Sequence, residues 1–485
     1  MKFKITLITM LCFVLNASFA QTDVPTDYLN SDFHKERREL LRASMPSNSV
    51  AVFFASPVRN RANDVDFVYH QDPNFYYLTG YKEANSVLLI FSKDQIDGEN
   101  TFNELIYVQK KNKAAEQWTG VRLGVEGVAE KLGFLNVFNG EDFKNILVDF
   151  STFDTVLFED FKGDVRDSKR DDTDLYSLIE QFKIKVSYKS TPVIIPADEQ
   201  VIEVETNINV LVLRTLMANL REVKTAEELK LIKKACEISA IGQIEIMKAM
   251  NSNLSEGEIQ GIHEFIYKKY GAEYEGYPAI VGAGNNGCIL HYIDNTKMSA
   301  GKEMVLMDLG AEYHGYTADV TRTIPANGKF NKEQRAIYDL VYAAQEAGIA
   351  QTIVGATTGE IDRAGRVIIN EGLVKLGIID DVSQGRKYFP HGTSHHIGLD
   401  VHDLSNYGPL KENMIITVEP GIYIPEGSPC DEKWWGIAVR IEDCILITKE
   451  GPVNFSGMAP RHPDDIEEMM KEESILNAFK LPKLD

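Results

Sequence analysis

Alternating apolar and polar stretches divide the first half of the chain into short strands and helices. Three stretches are apolar almost throughout, as expected for strands buried on both faces of a sheet. They lie at 49–54, 86–91 and 104–108. The stretch at 125–132 has helical spacing and ends at Gly133, a residue type that favours helix termination. The pattern predicts an α/β domain, which we place at 21–196, with the aromatic cluster at 71–80 as part of its local core.

The second half of the chain has a different pattern and predicts a separate domain. A connecting segment is predicted at 197–220. Thr225 and Glu228 have the spacing of a capping box, so a helix should begin there. Strands and further helices follow, which places an α+β domain at 221–457 and a C-terminal helix and tail at 458–485.

Residues 1–20 have the three parts of a secretory signal peptide. Lys2 and Lys4 precede an apolar run at 5–15, and small residues lead to a predicted cleavage after Ala20. The run is too short to span a bilayer comfortably. The sequence therefore predicts an exported protein, periplasmic or extracellular, without a membrane anchor.

Length and charge narrow the class of protein further. A chain of 485 residues exceeds one ordinary core, which supports two domains. A net charge of −21 argues against nucleic acid or anionic membrane as partners. The cysteines outside the predicted signal have no zinc-site spacing and are expected to be buried free thiols. They are Cys236, Cys288, Cys430 and Cys444.

Four carboxylates and one imidazole stand in or beside apolar runs of the second half. They are Asp308, Asp319, His395, Glu419 and Glu442. A carboxylate inside a strand pattern is costly unless its desolvation is compensated. Four acids with one histidine indicate a shared cation, or two cations, and such a donor set favours divalent ions such as manganese, cobalt or zinc. The chemistry indicated is metal-assisted hydrolysis.

The first two acids lie on a predicted pair of strands within 304–325, joined at 314–315. A two-residue turn would pair Asp308 with Thr321, whereas a four-residue loop would pair Asp308 directly with Asp319. Either register places both carboxylates on one face of the sheet. Like charges so close repel each other, and a bound cation would turn the repulsion into chelation.

Several motifs around these residues occur together in one known family. They are IVGAGNNGCILHY, HGTSHHIGLDVHD, TVEPGIYI and VRIEDC. With them the sequence resembles the pita-bread metallopeptidases, in particular their aminopeptidase P branch. The stretch VFFASPVRNRANDVDFVYHQDPNFYYLTGY is similar to the N-terminal domain of that branch, so the resemblance covers nearly the whole mature chain.

The resemblance implies a role for each of the five residues. Asp308 would chelate one ion, Asp319 and Glu442 would bridge two ions, and His395 and Glu419 would complete the other site. Glu419 would also be the general base. The implied cofactor is a pair of divalent ions, manganese first, with cobalt or zinc as alternatives.

The same resemblance assigns residues that contact the substrate. His291 and His402 would stabilise the substrate carbonyl and the tetrahedral intermediate. Three further residues would line or support the pocket for a proline ring, namely His391, Tyr423 and Arg440. Trp118 would lie at the edge of the active site. His396 departs from the aromatic or aliphatic residue expected after the ligand histidine, which could adjust the pocket.

The implied activity is release of the N-terminal residue from peptides that carry proline at the second position, by a homo-oligomer, either a dimer or a tetramer. An Xaa-Pro dipeptidase (prolidase) shares the fold and the ligands, so the five residues leave it open. A metal-free hydrolase of the creatinase type lacks the ligand set, and a non-catalytic binding protein would have no need of all five ligands. The intact set therefore argues against both.

Overall fold

The computed structural model describes residues 25–146, 148–188 and 207–478, so the predicted signal peptide lies outside the described residues. The α-helices are α1 (Ser31–Ser44), α2 (Pro73–Thr79), α3 (Lys113–Thr119), α4 (Gly124–Leu132), α5 (Leu175–Lys185), α6 (Val212–Arg221), α7 (Ala226–Ala249), α8 (Glu256–Lys269), α9 (Lys332–Ala350), α10 (Thr358–Lys375) and α11 (Pro463–Met469). The strands are β1 (Ser49–Phe54), β2 (Asn60–Ala62), β3 (Val65–Asp66), β4 (Val87–Asp97), β5 (Asn100–Val108), β6 (Val137–Asn139), β7 (Thr155–Leu157), β8 (Ile208–Asn209), β9 (Tyr274–Glu275), β10 (Ile280–Ala283), β11 (Met304–Asp308), β12 (Ala311–Tyr313), β13 (Tyr316–Thr317), β14 (Thr321–Pro325), β15 (Ile415–Val418), β16 (Gly421–Ile424), β17 (Ile437–Arg440), β18 (Asp443–Thr448) and β19 (Gly451–Asn454).

The N-terminal domain is built on a mixed six-stranded sheet in the order β6-β5-β4-β1-β7-β8. The three strands predicted from apolar runs are β1, β4 and β5, and the predicted helix is α4. Both faces of the sheet are buried, because Val50 and Leu89 belong to one apolar cluster and Ala51 and Ile90 to another. The aromatic segment forms α2, whose residues from Asn74 onward are all buried, which confirms its prediction as local core.

Residues 197–206 of the predicted connecting segment at 197–220 lie outside the described residues, and the remainder contains regular secondary structure. Strand β8 adds to the edge of the N-terminal sheet, parallel to β7, and helix α6 follows directly. Leu213 and Met217 lie one helical turn apart and are both fully buried. The helix begins without a side-chain cap, so it lacks the start signal that marked α7.

The second domain consists of four small sheets covered by helices α7 to α10. Helix α7 begins after Thr225, and both capping-box hydrogen bonds are present, as predicted. Strand β11 shows how the domain is layered, since Val305 and Met307 pack in the apolar cluster that includes α9 and α10 residues. The alternate positions, Leu306 and Asp308, face the opposite side, where the candidate site lies.

The cysteines differ in detail from expectation. All four cysteines are free, as predicted, but Cys288 and Cys430 are half-buried rather than buried. The helix predicted within 458–485 is α11, which ends at Met469. Within residues 25–146, 148–188 and 207–478 we find no helix with the length and apolar character needed to cross a membrane.

Candidate metal centre

A cavity of about 660 Å³ contains the residues that the sequence singled out. All five predicted ligands line it, and so do His291, His391, His402 and Arg440. Tyr423 lies behind the wall and is 3% exposed. Residues that stand far apart in the sequence therefore meet in one space of a size typical for a small-molecule site.

The hairpin places its two aspartates on the cavity wall. Asp308 pairs with Thr321 across β11 and β14, which is the register of a two-residue turn rather than a four-residue loop. The hydroxyl of Tyr277 donates to Oδ1 of Asp308 at 2.5 Å and lies 2.6 Å from Oδ1 of Asp319. The two carboxylates therefore converge on one phenol, and Asp319 itself lies between strands β13 and β14.

Three further segments, each beside a strand, bring the other three ligands to the same cavity. His395 exchanges hydrogen bonds with Thr417 of β15, because its N–H donates to Oγ1 at 3.1 Å and its carbonyl accepts the Thr417 N–H at 2.9 Å. Its Nε2 lies 3.4 Å from Oδ2 of Asp319 and 3.6 Å from Oε1 of Glu419. One ligand atom from each of Asp319, His395 and Glu442 lies within 4.8 Å of the others. The set is close enough to share an ion.

A buried guanidinium holds Asp308 from behind. Nη2 of Arg440 lies 2.5 Å from Oδ2 of Asp308, and Nη1 donates to the Tyr423 hydroxyl at 3.0 Å. The same hydroxyl lies 2.7 Å from Nε2 of His391. Alternation of side chains along a strand would place Arg440 and Glu442 on the same face, but the carboxylate that Arg440 contacts is that of Asp308. Arg440 thus links the Asp308 side of the site to the predicted proline pocket.

The acids of the cavity repel each other when no cation lies between them. Burial raises the pKa of Glu419 to about 8, and the charge of Glu442 adds to the effect. Burial and the charge of Asp308 raise the pKa of Asp319 well above its ordinary value, and Glu442 is shifted in the same direction. Burial raises the pKa of Asp308 as well, but the charge of Arg440 and the hydrogen bonds from Tyr277 and Arg440 together outweigh it, so that pKa is lowered.

The charge and the donor atoms of the site show whether divalent ions fit it. One guanidinium faces four carboxylates, and one imidazole completes the donor set. Oxygen donors with a single ring nitrogen match the preferences of manganese, cobalt and zinc. The residues present therefore fit a divalent metal centre.

Of the other predicted site residues, His291 and His402 lie at the cavity and Trp118 lies away from it. His291 and His402 are exposed at the mouth of the cavity, and the rings of His395 and His402 meet edge to face with centroids 4.4 Å apart. Trp118 is 88% exposed on helix α3 and does not line the cavity. Within the described part of one chain, the structure brings together every predicted site residue except Trp118.

The unexpected histidine points away from the ligands. His396 is buried opposite Ile416, and its ring lies edge-on to Tyr407, which does line the cavity. Burial lowers its pKa to about 4, and Nδ1 has no hydrogen-bond partner among the described residues. His396 thus reaches the cavity only through Tyr407.

Tyr277 is a site residue that the sequence did not reveal. It precedes β10 in an ordinary aromatic and proline context, and only the fold brings its hydroxyl between two aspartates. A polar aromatic residue directly before the IVGAGNNG motif was the one available signal.

Comparison with known proteins agrees with this geometry. The family model described as "Metallopeptidase family M24" matches residues 230–449, and "Aminopeptidase P, N-terminal domain" matches residues 34–156. An Xaa-Pro aminopeptidase of Haemophilus influenzae is 33% identical over 90% of this chain and 96% of its own length. The Xaa-Pro aminopeptidase of Escherichia coli is also 33% identical, over 90% of this chain and 97% of its own length.

Solved structures show the same likeness along the whole fold. Aminopeptidase P from E. coli with the inhibitor Pro-Leu superposes with a TM-score of 0.79 at 31% identity, covering 92% of this chain and 99% of that one. Proline aminopeptidase P II from Yersinia pestis gives 0.77 at 32% identity, covering 91% of this chain and 100% of that one. These matches confirm an α/β N-terminal domain followed by an α+β pita-bread catalytic domain. The chain therefore belongs to metallopeptidase family M24, as a member of its aminopeptidase P branch.

Proposed function

We propose that this protein is an Xaa-Pro aminopeptidase, which releases the first residue of peptides whose second residue is proline. The proposal rests on one observation, which is that four carboxylates and one histidine line a single cavity, next to the polar side chains of His391, Tyr423 and Arg440. The named activity of relatives that match almost the whole chain supports the same reaction.

The ligand roles follow the predicted order. Asp308 would hold one ion, Asp319 and Glu442 would bridge a pair, and His395 with Glu419 would hold the second. When bound, divalent ions supply Lewis acidity that makes water a nucleophile at neutral pH. Manganese is our first choice of ion, with cobalt or zinc as alternatives, because the donors are mostly carboxylate oxygens.

The chain's own groups handle protons and charge around that centre. Glu419 would take the proton of the attacking water, because its carboxylate lies beside the other ligands, with Oε1 at 3.6 Å from Nε2 of His395. His291 and His402, at the mouth of the cavity, donate hydrogen bonds to the substrate carbonyl and to the oxygen that gains charge. Burial lowers the pKa of His402, so near neutral pH its ring is an uncharged donor.

Proline selectivity would arise at the wall formed by His391, Tyr423 and Arg440. Proline has no N–H and a fixed φ, so a general peptidase handles the bond before it poorly. Burial lowers the pKa of His391 to about 4, and Arg440 adds to the effect, so the imidazole facing the ring is neutral. A neutral ring held by the Tyr423 hydroxyl is a suitable surface for pyrrolidine carbons.

The test is cleavage of Gly-Pro-Ala, Gly-Pro and Gly-Ala-Ala by the purified protein after manganese loading. We expect rapid release of glycine from the first peptide, little from the third, and complete loss in excess chelator that added manganese reverses. Cleavage of the dipeptide alone would favour a dipeptidase and contradict the proposal. Full activity in chelator would contradict the metal centre.

We also propose that the mature protein begins at Gln21, is exported to the periplasm or beyond, and forms a dimer or tetramer. The apolar run at 5–15 supports export. The resemblance to the aminopeptidase P branch supports assembly into an oligomer. Native mass spectrometry of untagged protein from its source would give both the subunit mass and the subunit number. A monomer that retains residues 1–20 would contradict both parts.

A further inference from the structure

The loop that carries His291 has no regular secondary structure to hold it. After a 3₁₀ turn at Gly284–Cys288, residues 289–303 are fully described and contain neither helix nor strand. His291 itself is exposed on the cavity. A group that must meet a substrate carbonyl needs a fixed position, so some other part of the fold has to restrain this loop.

A single buried carboxylate provides four of the restraints. Glu256 is 0% exposed, and its Oε1 accepts the Ala283 N–H at 2.8 Å and Nδ2 of Asn286 at 3.0 Å. Its Oε2 accepts the Tyr292 hydroxyl at 2.9 Å and the Lys297 N–H at 2.8 Å. The main-chain donors lie on both sides of His291, and Tyr292 is its neighbour in the chain.

The helix that bears Glu256 does not need this side chain for its own start. Ser255 and Glu258 form the complete capping box of α8. The N–H of Glu256 donates to the Lys297 carbonyl at 2.9 Å, so its main chain also binds the loop. Ser255 and Glu258 thus cap the helix, while Glu256 ties two donors of the loop, on Tyr292 and Lys297, to β10 and the 3₁₀ turn that precede it.

We propose that Glu256 is the positioning residue for His291, holding the 283–297 loop so that the imidazole meets the substrate. The carboxylate is suited to this task because an ionised group accepts on both oxygens and hydrogen bonds to a charge are stronger than neutral ones. This inference rests on the proposed function in one respect, the role of His291 in catalysis.

The test replaces Glu256 with glutamine, which keeps the size but turns two acceptor positions into donors that face other donors. Amide hydrogen exchange across 283–297 should become faster by about tenfold or more, since one of the two main-chain N–H groups loses its acceptor whichever way the carboxamide is turned. On Gly-Pro-Ala, kcat/KM should fall by about tenfold to a hundredfold, the size expected for a misplaced group. Glu258→Gln on the same helix keeps a capping side chain and should change neither measurement.

A double-mutant cycle separates positioning from general damage. In a His291→Ala background, Glu256→Gln should change kcat/KM by no more than about twofold, because its effect passes through the missing imidazole. Equal losses in both backgrounds, or unchanged exchange of the loop, would overturn the proposal.

Tyr292→Phe removes one hydroxyl and keeps the ring, so it gives the same readouts in a milder form if Glu256→Gln does not fold. If the unchanged protein cleaves no Xaa-Pro peptide, the proposed function fails, while the exchange measurement still decides whether Glu256 holds the loop.

Discussion

Replacing Asp319 with asparagine is expected to remove peptidase activity without unfolding the protein. Asp319 approaches both sides of the site, with Oδ1 at 2.6 Å from the Tyr277 hydroxyl and Oδ2 at 3.4 Å from Nε2 of His395. A carboxamide offers one neutral acceptor and turns an N–H group toward the other ligands. Loss of an outer partner of a metal ligand costs about 10–100-fold, so loss of a bridging ligand should exceed about a hundredfold.

The same substitution should leave the metal-free fold at least as stable as before. Burial raises the pKa of Asp319, and the charge of Asp308 adds to the effect, which means that the ionised group is unfavourable where it stands. Asparagine keeps the shape and removes that charge. We therefore expect loss of function together with an unchanged or higher melting temperature in chelator.

Three measurements check this expectation, namely activity on Gly-Pro-Ala, metal content by elemental analysis and calorimetric melting in chelator. Asp339→Asn is the matched control, because Asp339 is exposed on α9 and pairs with Arg335 on the same helix. It should keep metal content and activity. Near-normal turnover by the Asp319 variant would contradict the assignment of the bridge.

The four candidate carboxylate ligands could be predicted from the sequence because their anomaly is local, whereas His395 was chosen among four neighbouring histidines with the help of the family resemblance. A carboxylate such as Asp308 within an apolar strand stands out without knowledge of the fold. The register of the hairpin could not be decided in this way, since both alternatives place the two aspartates on one face. The structure selects the two-residue turn, in which His314 and Gly315 both have positive φ, of 53° and 87°.

Contacts between segments that lie far apart in the chain could not be predicted from the sequence, for a different reason. Arg440 pairs with Asp308 across two strands that lie far apart in the chain, whereas period-two reasoning sees only neighbours on its own strand such as Glu442. Tyr277 meets its two carboxylates in the same long-range way. Helix α6 was missed because it is short and uncapped, so its buried face is visible only once the two domains are packed.

Metal binding is expected to release protons and to tighten steeply with pH. Burial and the charge of Glu442 raise the pKa of Glu419 from its ordinary 4.5 to about 8, and the pKa values of Asp319 and Glu442 are raised as well. Glu419 therefore holds a proton near neutral pH in the metal-free site, and the raised pKa values of Asp319 and Glu442 act in the same direction, whereas ligands must be deprotonated. Apparent affinity for manganese should rise by at least about tenfold per pH unit between about pH 6 and about pH 8.

The stability of the metal-free protein should change in the opposite direction. A carboxyl whose pKa is higher in the folded chain than in the unfolded chain stabilises the fold below the unfolded value, and that contribution is lost as the pH rises through the folded one. For Glu419 the window runs from 4.5 to about 8, so the metal-free protein should melt at progressively lower temperature across it, and manganese should restore the loss.

Calorimetric titration of manganese in two buffers of different ionisation enthalpy counts the protons released. Glu419→Gln should lower that count by about one and flatten the dependence on pH, because the variant side chain has no proton to lose. Its matched control is Glu426→Gln, an exposed acid beyond β16 that lies outside the ligand set and should leave the count unchanged. An affinity that does not vary with pH would contradict the interpretation that closely spaced carboxyl groups hold protons in the metal-free site and release them when the ions bind.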